Sequence, residues 1–260
     1  MRLPALFVSH GSPDEGLRRS AWGGALAEFA ASSPRPAAVA MVSAHWEANA
    51  PVRVTSSPAP ETIHDFSGFP EPLYEIRYPC PGAPELADRI VNLLGRSGLD
   101  AVPDPSRGLD HGVWTPLRFL FPEADVPVVA VSLPRPRTPD LVAKLGRALA
   151  PLRDEGVLLV GSGGLVHNLR LLEWEERDAP PAAWAVEFET WVRGRLLAKD
   201  EAGLFAYRSG APHALRAHPT TEHFDPLFFS LGAAEGEPCR SLYDGFDFGT
   251  LSMGSLVFGR

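Results

Sequence analysis

The chain has 260 residues and a mass of 28.1 kDa, and its 45% hydrophobic and 22% charged residues are ordinary for a globular domain with a sizeable core. The net charge is −8 and lysines and arginines form no dense block, so we expect no nucleic-acid partner. No apolar run reaches the length of a membrane span, the N-terminus lacks a signal-peptide core, and the two cysteines have no metal-ligand spacing. These features predict a cytoplasmic protein that does not bind a membrane.

Short apolar runs alternate with helical patterns along the chain. The predicted strands are Ala5–Ser9, Ala37–Ser43, Val52–Thr55, Val126–Leu133, Val157–Gly161 and Ser252–Phe258. The predicted helices are Gly16–Ala31, Glu85–Leu94, Trp114–Phe121, Pro139–Leu152, Ala182–Leu197 and Glu222–Leu231. This alternation predicts one α/β domain over residues 1–260, with a mostly parallel or mixed central sheet flanked by helices on both faces.

Residues 57–82 interrupt this pattern with six prolines and several aromatic side chains. A long irregular segment in a compact domain usually has a function or forms a lid. Its aromatic residues include Phe66, Phe69 and Tyr74.

Histidines follow the ends of three predicted strands. His10 comes directly after the first strand, His45 after the second, and His167 after a glycine-rich turn beyond Val157–Gly161. Ligands of open α/β sheets bind where the strands end, and imidazole is the commonest metal ligand in proteins. The pattern predicts a single metal-centred site, although a strand-end histidine taken alone is better explained by a structural hydrogen-bonding role.

The sequence leaves alternative roles open for His167, for Glu222 and His223, and for His111. The turn before His167 lacks the spacing of a phosphate-binding loop or a nucleophile elbow, which favours a ligand or acid–base role for His167. A threonine at 220 or 221 can cap the helix that follows, so that Glu222 and His223 lie in its first turn and either can complete a metal site. His111 lies in a predicted tight turn, where it contacts a substrate or only shapes the turn.

The remaining histidines are expected in exposed loops. They are His64, His213 and His218.

Several segments together resemble the class III extradiol ring-cleavage dioxygenases, specifically the DOPA 4,5-dioxygenase-type branch of the LigB-like superfamily. The matching stretches are residues 4–13, 43–46, 63–70, 78–82, 109–112 with Trp114, 167–170, 222–224 and 251–253. They cover nearly the whole chain in order, so the resemblance is more specific than any one motif.

The resemblance implies one divalent metal ion, zinc or Fe(II), bound by His10, His45 and His223. It also implies that His167 lies beside the metal as an acid–base catalyst or as an additional ligand, and that His111 contacts the substrate. The implied reaction inserts both atoms of O2 into a catecholic ring beside its two hydroxyl groups.

Three other functions fit the same residues. Zinc on three histidines can generate hydroxide for hydrolysis, or the protein can bind a metal without oxygenase chemistry. Alternatively, the histidines are core or turn residues of a protein that binds a small molecule without a metal. The sequence does not distinguish a monomer from a small homo-oligomer, and it does not identify the catechol.

Overall fold

The computed structural model describes residues 2–259. The strands in this range are β1 (Ala5–Ser9), β2 (Ala38–Asn49), β3 (Val52–Thr55), β4 (Ala101–Asp104), β5 (Val128–Arg135), β6 (Val157–Gly163), β7 (Cys239–Tyr243), β8 (Phe246–Asp247), β9 (Leu251–Ser252) and β10 (Ser255–Phe258). The helices are α1 (Ala21–Ser32), α2 (Pro72–Glu75), α3 (Pro84–Arg96), α4 (His111–Leu120), α5 (Pro139–Leu149), α6 (Ala183–Leu197), α7 (Glu201–Phe205), α8 (Tyr207–Gly210), α9 (Ala214–Ala217) and α10 (Asp225–Ala234). Among these helices, none combines the length and the apolar character that crossing a bilayer requires.

Eight strands form one mixed sheet in the order β4-β3-β5-β2-β6-β1-β10-β7. The central strands β5, β2, β6 and β1 are parallel, whereas β3 and β10 join this core in antiparallel orientation. The predicted fold class is confirmed. The edge strands β4 and β7 had no predicted counterpart, because β4 is short and contains a proline and β7 is partly exposed.

Helices cover both faces of the sheet. Along β1, Ala5 and Phe7 face one side, while Leu6 and Val8 face the other. The first side packs against α3, α5, α6 and α10, and the second packs against α1 and α4. Since the central strands are buried on both faces, their sequences are continuous apolar runs, which is why they were predictable.

Strand β2 extends beyond the predicted Ala37–Ser43. It continues to Asn49, and its register against β5 shifts between Val42 and Glu47. His45 therefore lies inside a strand, within an irregular stretch, rather than in the loop after it. Irregularities of this kind redirect side chains near functional sites.

Two helix starts near the predicted site also differ from prediction. Helix α4 begins at His111, three residues before the predicted start, so His111 is the first residue of a helix and not part of a tight turn. Helix α10 begins at Asp225, where a proline follows in the first turn. Glu222 and His223 consequently precede this helix, and the prediction that they occupy its first turn is wrong.

The predicted helix Gly16–Ala31 is interrupted. A short 3-10 helix covers Pro13–Leu17, and α1 then begins after Ser20, whose hydroxyl oxygen accepts a hydrogen bond from the Gly23 backbone N–H at 3.0 Å. The chain between β1 and α1 therefore contains a short 3-10 helix that is separate from α1, rather than the start of one continuous α-helix.

Candidate metal centre

Three histidine side chains meet at the carboxyl ends of β1 and β6. His10 directly follows β1, His45 lies in the irregular stretch of β2, and His223 lies in the loop before α10. The Nε2 atom of His45 is 3.1 Å from that of His10 and 3.2 Å from that of His223. The tertiary structure thus brings together three residues that span more than two hundred positions of the chain.

Glycines in β6 allow the loop with His223 to reach this place. A Cβ atom at Gly163 would lie 2.0 Å from the carbonyl oxygen of His223, and one at Gly161 would lie 2.2 Å from the carbonyl oxygen of Pro226. The next residue, Gly164, donates its backbone N–H to the same His223 carbonyl at 2.8 Å. The glycine-rich turn therefore seats the His223 loop against the sheet.

Each of the three imidazoles donates its Nδ1 hydrogen to a protein oxygen. These contacts are His10 to Ser162 Oγ at 2.9 Å, His45 to Asp65 Oδ2 at 3.0 Å and His223 to Glu222 Oε1 at 3.1 Å. The carboxylates of Asp65 and Glu222 can only accept, and the Ser162 hydroxyl uses its own hydrogen to donate to the Gly112 carbonyl at 2.5 Å. The neutral tautomer of each ring therefore has an unprotonated Nε2.

Three nitrogen lone pairs consequently point at one another with no hydrogen between them. This arrangement is repulsive unless a cation lies among the nitrogens. Two ligands that are each about 2.0–2.1 Å from one metal ion are about 2.9–3.4 Å apart, which includes the two observed Nε2–Nε2 distances. The Nδ1 contacts are of the kind that orient metal-binding histidines. The residues fit a divalent cation.

The protonation of the three rings follows from their surroundings. Burial lowers the pKa of His10 and of His223 well below its ordinary value, and the neighbouring imidazoles lower it further, so both rings are neutral. Burial also lowers the pKa of His45, but the hydrogen bond to Asp65 and the nearby charges of Asp110 and Asp65 outweigh this effect and raise it.

Asp65 is a site residue that the sequence analysis did not identify. Its Oδ1 accepts hydrogen bonds from the backbone N–H of His111 at 2.9 Å and from His111 Nδ1 at 3.0 Å, while Oδ2 accepts from His45. Burial alone would raise the pKa of Asp65, but these hydrogen bonds outweigh it and lower the pKa below the usual range. The carboxylate also satisfies the first backbone N–H of α4.

Asp65, His45 and His111 form a second group whose potential ligand atoms lie within 4.8 Å of one another. The contacts in this group are explained by hydrogen bonds, because a carboxylate oxygen faces an imidazole N–H in each case. A cation is needed only among the three converging Nε2 atoms.

His167 lies beside the three imidazoles rather than among them. Its ring stacks on the ring of His223, with centroids 3.4 Å apart and planes 5° apart. His167 does not belong to either group of candidate metal-ligand atoms that lie within 4.8 Å of one another in residues 2–259. Burial lowers the pKa of His167 to about 3, and the neighbouring His218 and His45 contribute to this.

A cavity of about 380 Å³ opens over the imidazoles. His10, His45, His111, His167 and His223 form its floor. The irregular segment 57–82 contributes part of the wall, since Phe66 and Phe69 line the cavity and the Phe66 ring packs edge-on against His111 with centroids 5.6 Å apart. Tyr74 lies behind them, 5.3 Å from Phe66 between ring centroids.

The histidines outside this site differ in their burial. His213 is exposed, as expected, and His64 is partly buried, with its Nε2 at 3.0 Å from the Ile76 carbonyl oxygen. The prediction that His218 lies in an exposed loop is wrong. His218 is fully buried, and its Nε2 donates to the Leu165 carbonyl at 2.9 Å.

Comparison with known proteins identifies the class. Residues 3–259 match the family described as the catalytic LigB subunit of aromatic ring-opening dioxygenase. The chain therefore belongs to this family, whose members are aromatic ring-opening dioxygenases with a metal cofactor. The predicted resemblance and the predicted enzyme class, an oxidoreductase that incorporates both atoms of O2, are confirmed.

Individual members of the family and one solved structure are similar to this chain over nearly its whole length. The chain is 39% identical over 262 residues to a 4,5-DOPA dioxygenase extradiol of Escherichia coli K12, covering 99% of this chain and 95% of the relative. It is also 39% identical to the 4,5-DOPA dioxygenase extradiol of Beta vulgaris, covering 97% of this chain and 95% of the relative. The crystal structure of an uncharacterized protein from Escherichia coli K12 superposes with a TM-score of 0.83 at 33% identity, covering 99% of this chain and all of that one.

Proposed function

We propose that this protein is an extradiol dioxygenase that uses one divalent metal ion to open a catecholic ring with O2, and that the whole chain forms one catalytic domain. The observation that carries the proposal is the convergence of the Nε2 atoms of His10, His45 and His223 in the floor of a cavity with an aromatic and apolar wall. Its volume of about 380 Å³ lies in the range of small-molecule sites. Cys80 and Cys239 are both free thiols, which supports a cytoplasmic location.

His10, His45 and His223 would hold the ion, which is zinc or Fe(II). When bound, the ion lowers the pKa of a catechol hydroxyl and, if it is Fe(II), supplies the redox chemistry that O2 activation needs and zinc lacks. Three protein ligands on one side leave positions open for small molecules.

His111 would orient the catechol. Its Nδ1 hydrogen is held by Asp65, so its Nε2 carries a lone pair and can accept a hydrogen bond from a substrate hydroxyl. If the proton moves onto Nε2, the Asp65 carboxylate stabilises the imidazolium that results.

His167 would act as the acid–base group. Burial lowers its pKa to about 3, so the ring begins the reaction neutral and able to accept a proton. An anionic substrate oxygen beside the ring raises this pKa as the proton transfers. The same ring can then return the proton while the aromatic ring opens. Phe66 and Phe69 exclude water from the substrate during these steps.

The test is O2 consumption by protein that has been loaded anaerobically with Fe(II). We expect one O2 consumed for each ring opened and a yellow product when a panel of catechols that includes DOPA is added. Zinc-loaded protein is the control, and it should bind a catechol without consuming O2. Absence of O2 uptake across the panel, with iron verified in the site, would refute the proposal, and ester or amide hydrolysis by the zinc form would favour the hydrolase alternative.

A further inference from the structure

The cavity wall above the imidazoles is formed by large apolar side chains. Besides Phe66 and Phe69, Leu169, Trp174 and Leu251 line it. Leu169 and Trp174 are 49% and 50% exposed. Large apolar groups that remain exposed beside a cavity are typical of contact with an apolar part of a ligand.

One buried hydroxyl in the wall has no hydrogen-bond partner among residues 2–259. Ser12 lies two residues after His10, lines the cavity and is 4% exposed. Its Oγ atom makes no hydrogen bond to any residue in the range 2–259. Burying a hydroxyl without a hydrogen bond is unfavourable, so this position is suited to bind an oxygen of a ligand.

The carboxylate in the cavity wall, that of Asp65, is already hydrogen-bonded to two imidazoles. Both carboxylate oxygens of Asp65 accept hydrogen bonds from imidazoles, and the residues that form the wall include neither lysine nor arginine. Trp174 lies in an acidic segment, Glu173–Asp178, whose only cation, Arg177, pairs with Asp14, Glu15 and Asp247. Arg170, the neighbour of Leu169, is exposed and is not among the lining residues, so a substrate carboxylate inside the cavity would find no lysine or arginine side chain in the wall.

We infer that the cavity selects a catechol whose ring substituent is uncharged and mainly apolar. The substituent packs against Leu169 and Trp174, and Ser12 Oγ hydrogen-bonds a neutral oxygen of the substrate. This inference rests on the proposed function and deepens it, because it names the substrate class. The inferred substrate also differs from DOPA, the compound in the relatives' names, since DOPA carries a carboxylate and an ammonium group.

The first test compares two catechols that differ only at the end of a three-carbon chain, propylcatechol and the catechol with a propionate chain. Affinity is measured by calorimetry on the zinc-loaded protein, and kcat/KM is measured on the iron-loaded protein. We expect at least a tenfold preference for propylcatechol in both. Equal values or a preference for the carboxylate would overturn the inference. A preference in binding with no ring opening would refute the proposed function and would support only the selectivity of the cavity for an apolar ring substituent.

The second test introduces a cation into the wall. Leu169→Arg should shift the ratio of the two affinities towards the propionate chain by about tenfold, the factor that corresponds to 1.4 kcal/mol. Leu197→Arg is the matched control, because Leu197 is 75% exposed at the end of α6 and does not line the cavity. An equal shift in both variants would show a general charge effect and contradict the assignment of Leu169.

The third test removes the Ser12 hydroxyl. Ser12→Ala should weaken binding of a substrate with a neutral oxygen about threefold to tenfold, while the thermal unfolding midpoint stays unchanged, because the hydroxyl has no protein partner. Ser230→Ala is the control, since this buried hydroxyl donates to the Leu6 carbonyl at 2.6 Å. It should lower the midpoint and leave the affinity unchanged. The opposite result for Ser12 would identify it as structural and overturn its assignment.

Discussion

Replacing Asp65 by Asn tests how the protein sets the tautomers of its imidazoles. Oδ1 of Asp65 accepts two hydrogen bonds from His111, and Oδ2 accepts one from His45 Nδ1 at 3.0 Å. The amide of Asn has only one accepting oxygen. Because two donors converge on the Oδ1 position, we expect the amide oxygen to occupy it and the NH2 group to face His45.

An NH2 group in this position requires an acceptor. It favours the His45 tautomer in which Nδ1 is bare and Nε2 carries the hydrogen, and this Nε2 is the atom that faces His10 and His223. Loss of such an orienting carboxylate lowers metal affinity by about 10- to 100-fold, or about 1.4–2.7 kcal/mol. Independently, a hydrogen bond to a charged group contributes about 1.5–3 kcal/mol. The expected loss of metal-binding free energy and the contribution of one such hydrogen bond are therefore of similar size.

The assay is competition for zinc against a chromophoric chelator. Asp200→Asn is a matched control, because Asp200 also accepts from a backbone N–H, that of Gly203 at 2.8 Å, and from Arg195, but lies outside the cavity wall. We expect the control to keep the affinity of the unchanged protein. A zinc affinity of Asp65→Asn within about twofold of the unchanged protein would refute the tautomer argument.

Three further predictions address the same site. His45→Ala should abolish metal retention, measured by elemental analysis, while the circular dichroism spectrum stays that of the folded protein; retention of a full equivalent would remove His45 from the ligand set. His167→Ala should keep most of the metal and lose turnover, and complete metal loss would instead make His167 a ligand. Arg137→Met should destabilise the fold by about 3–5 kcal/mol in denaturant titrations, because it leaves the buried Asp225 and the nearby Glu47, both ion-paired to Arg137, without that partner. Unfolding free energies that agree within about 1 kcal/mol would show that these ion pairs contribute little.

The amino-acid sequence is sufficient to predict the fold class and the edge of the sheet where the site lies. Strands β1, β2 and β6 are buried on both faces, so they form continuous apolar runs, and His10 and His45 stand at or near the points where those runs end. These are local features, and a local pattern is visible without coordinates.

Tertiary structure alone decides which polar groups meet. Asp65 lies in an irregular segment and contacts His111 across 46 positions of the chain, so no spacing in the sequence reveals their hydrogen bonds. The burial of His218 and the place of His223 before α10 depend in the same way on packing against distant residues. Hydrogen-bond partners are set by where elements dock, and docking depends on the whole core rather than on any window of the chain.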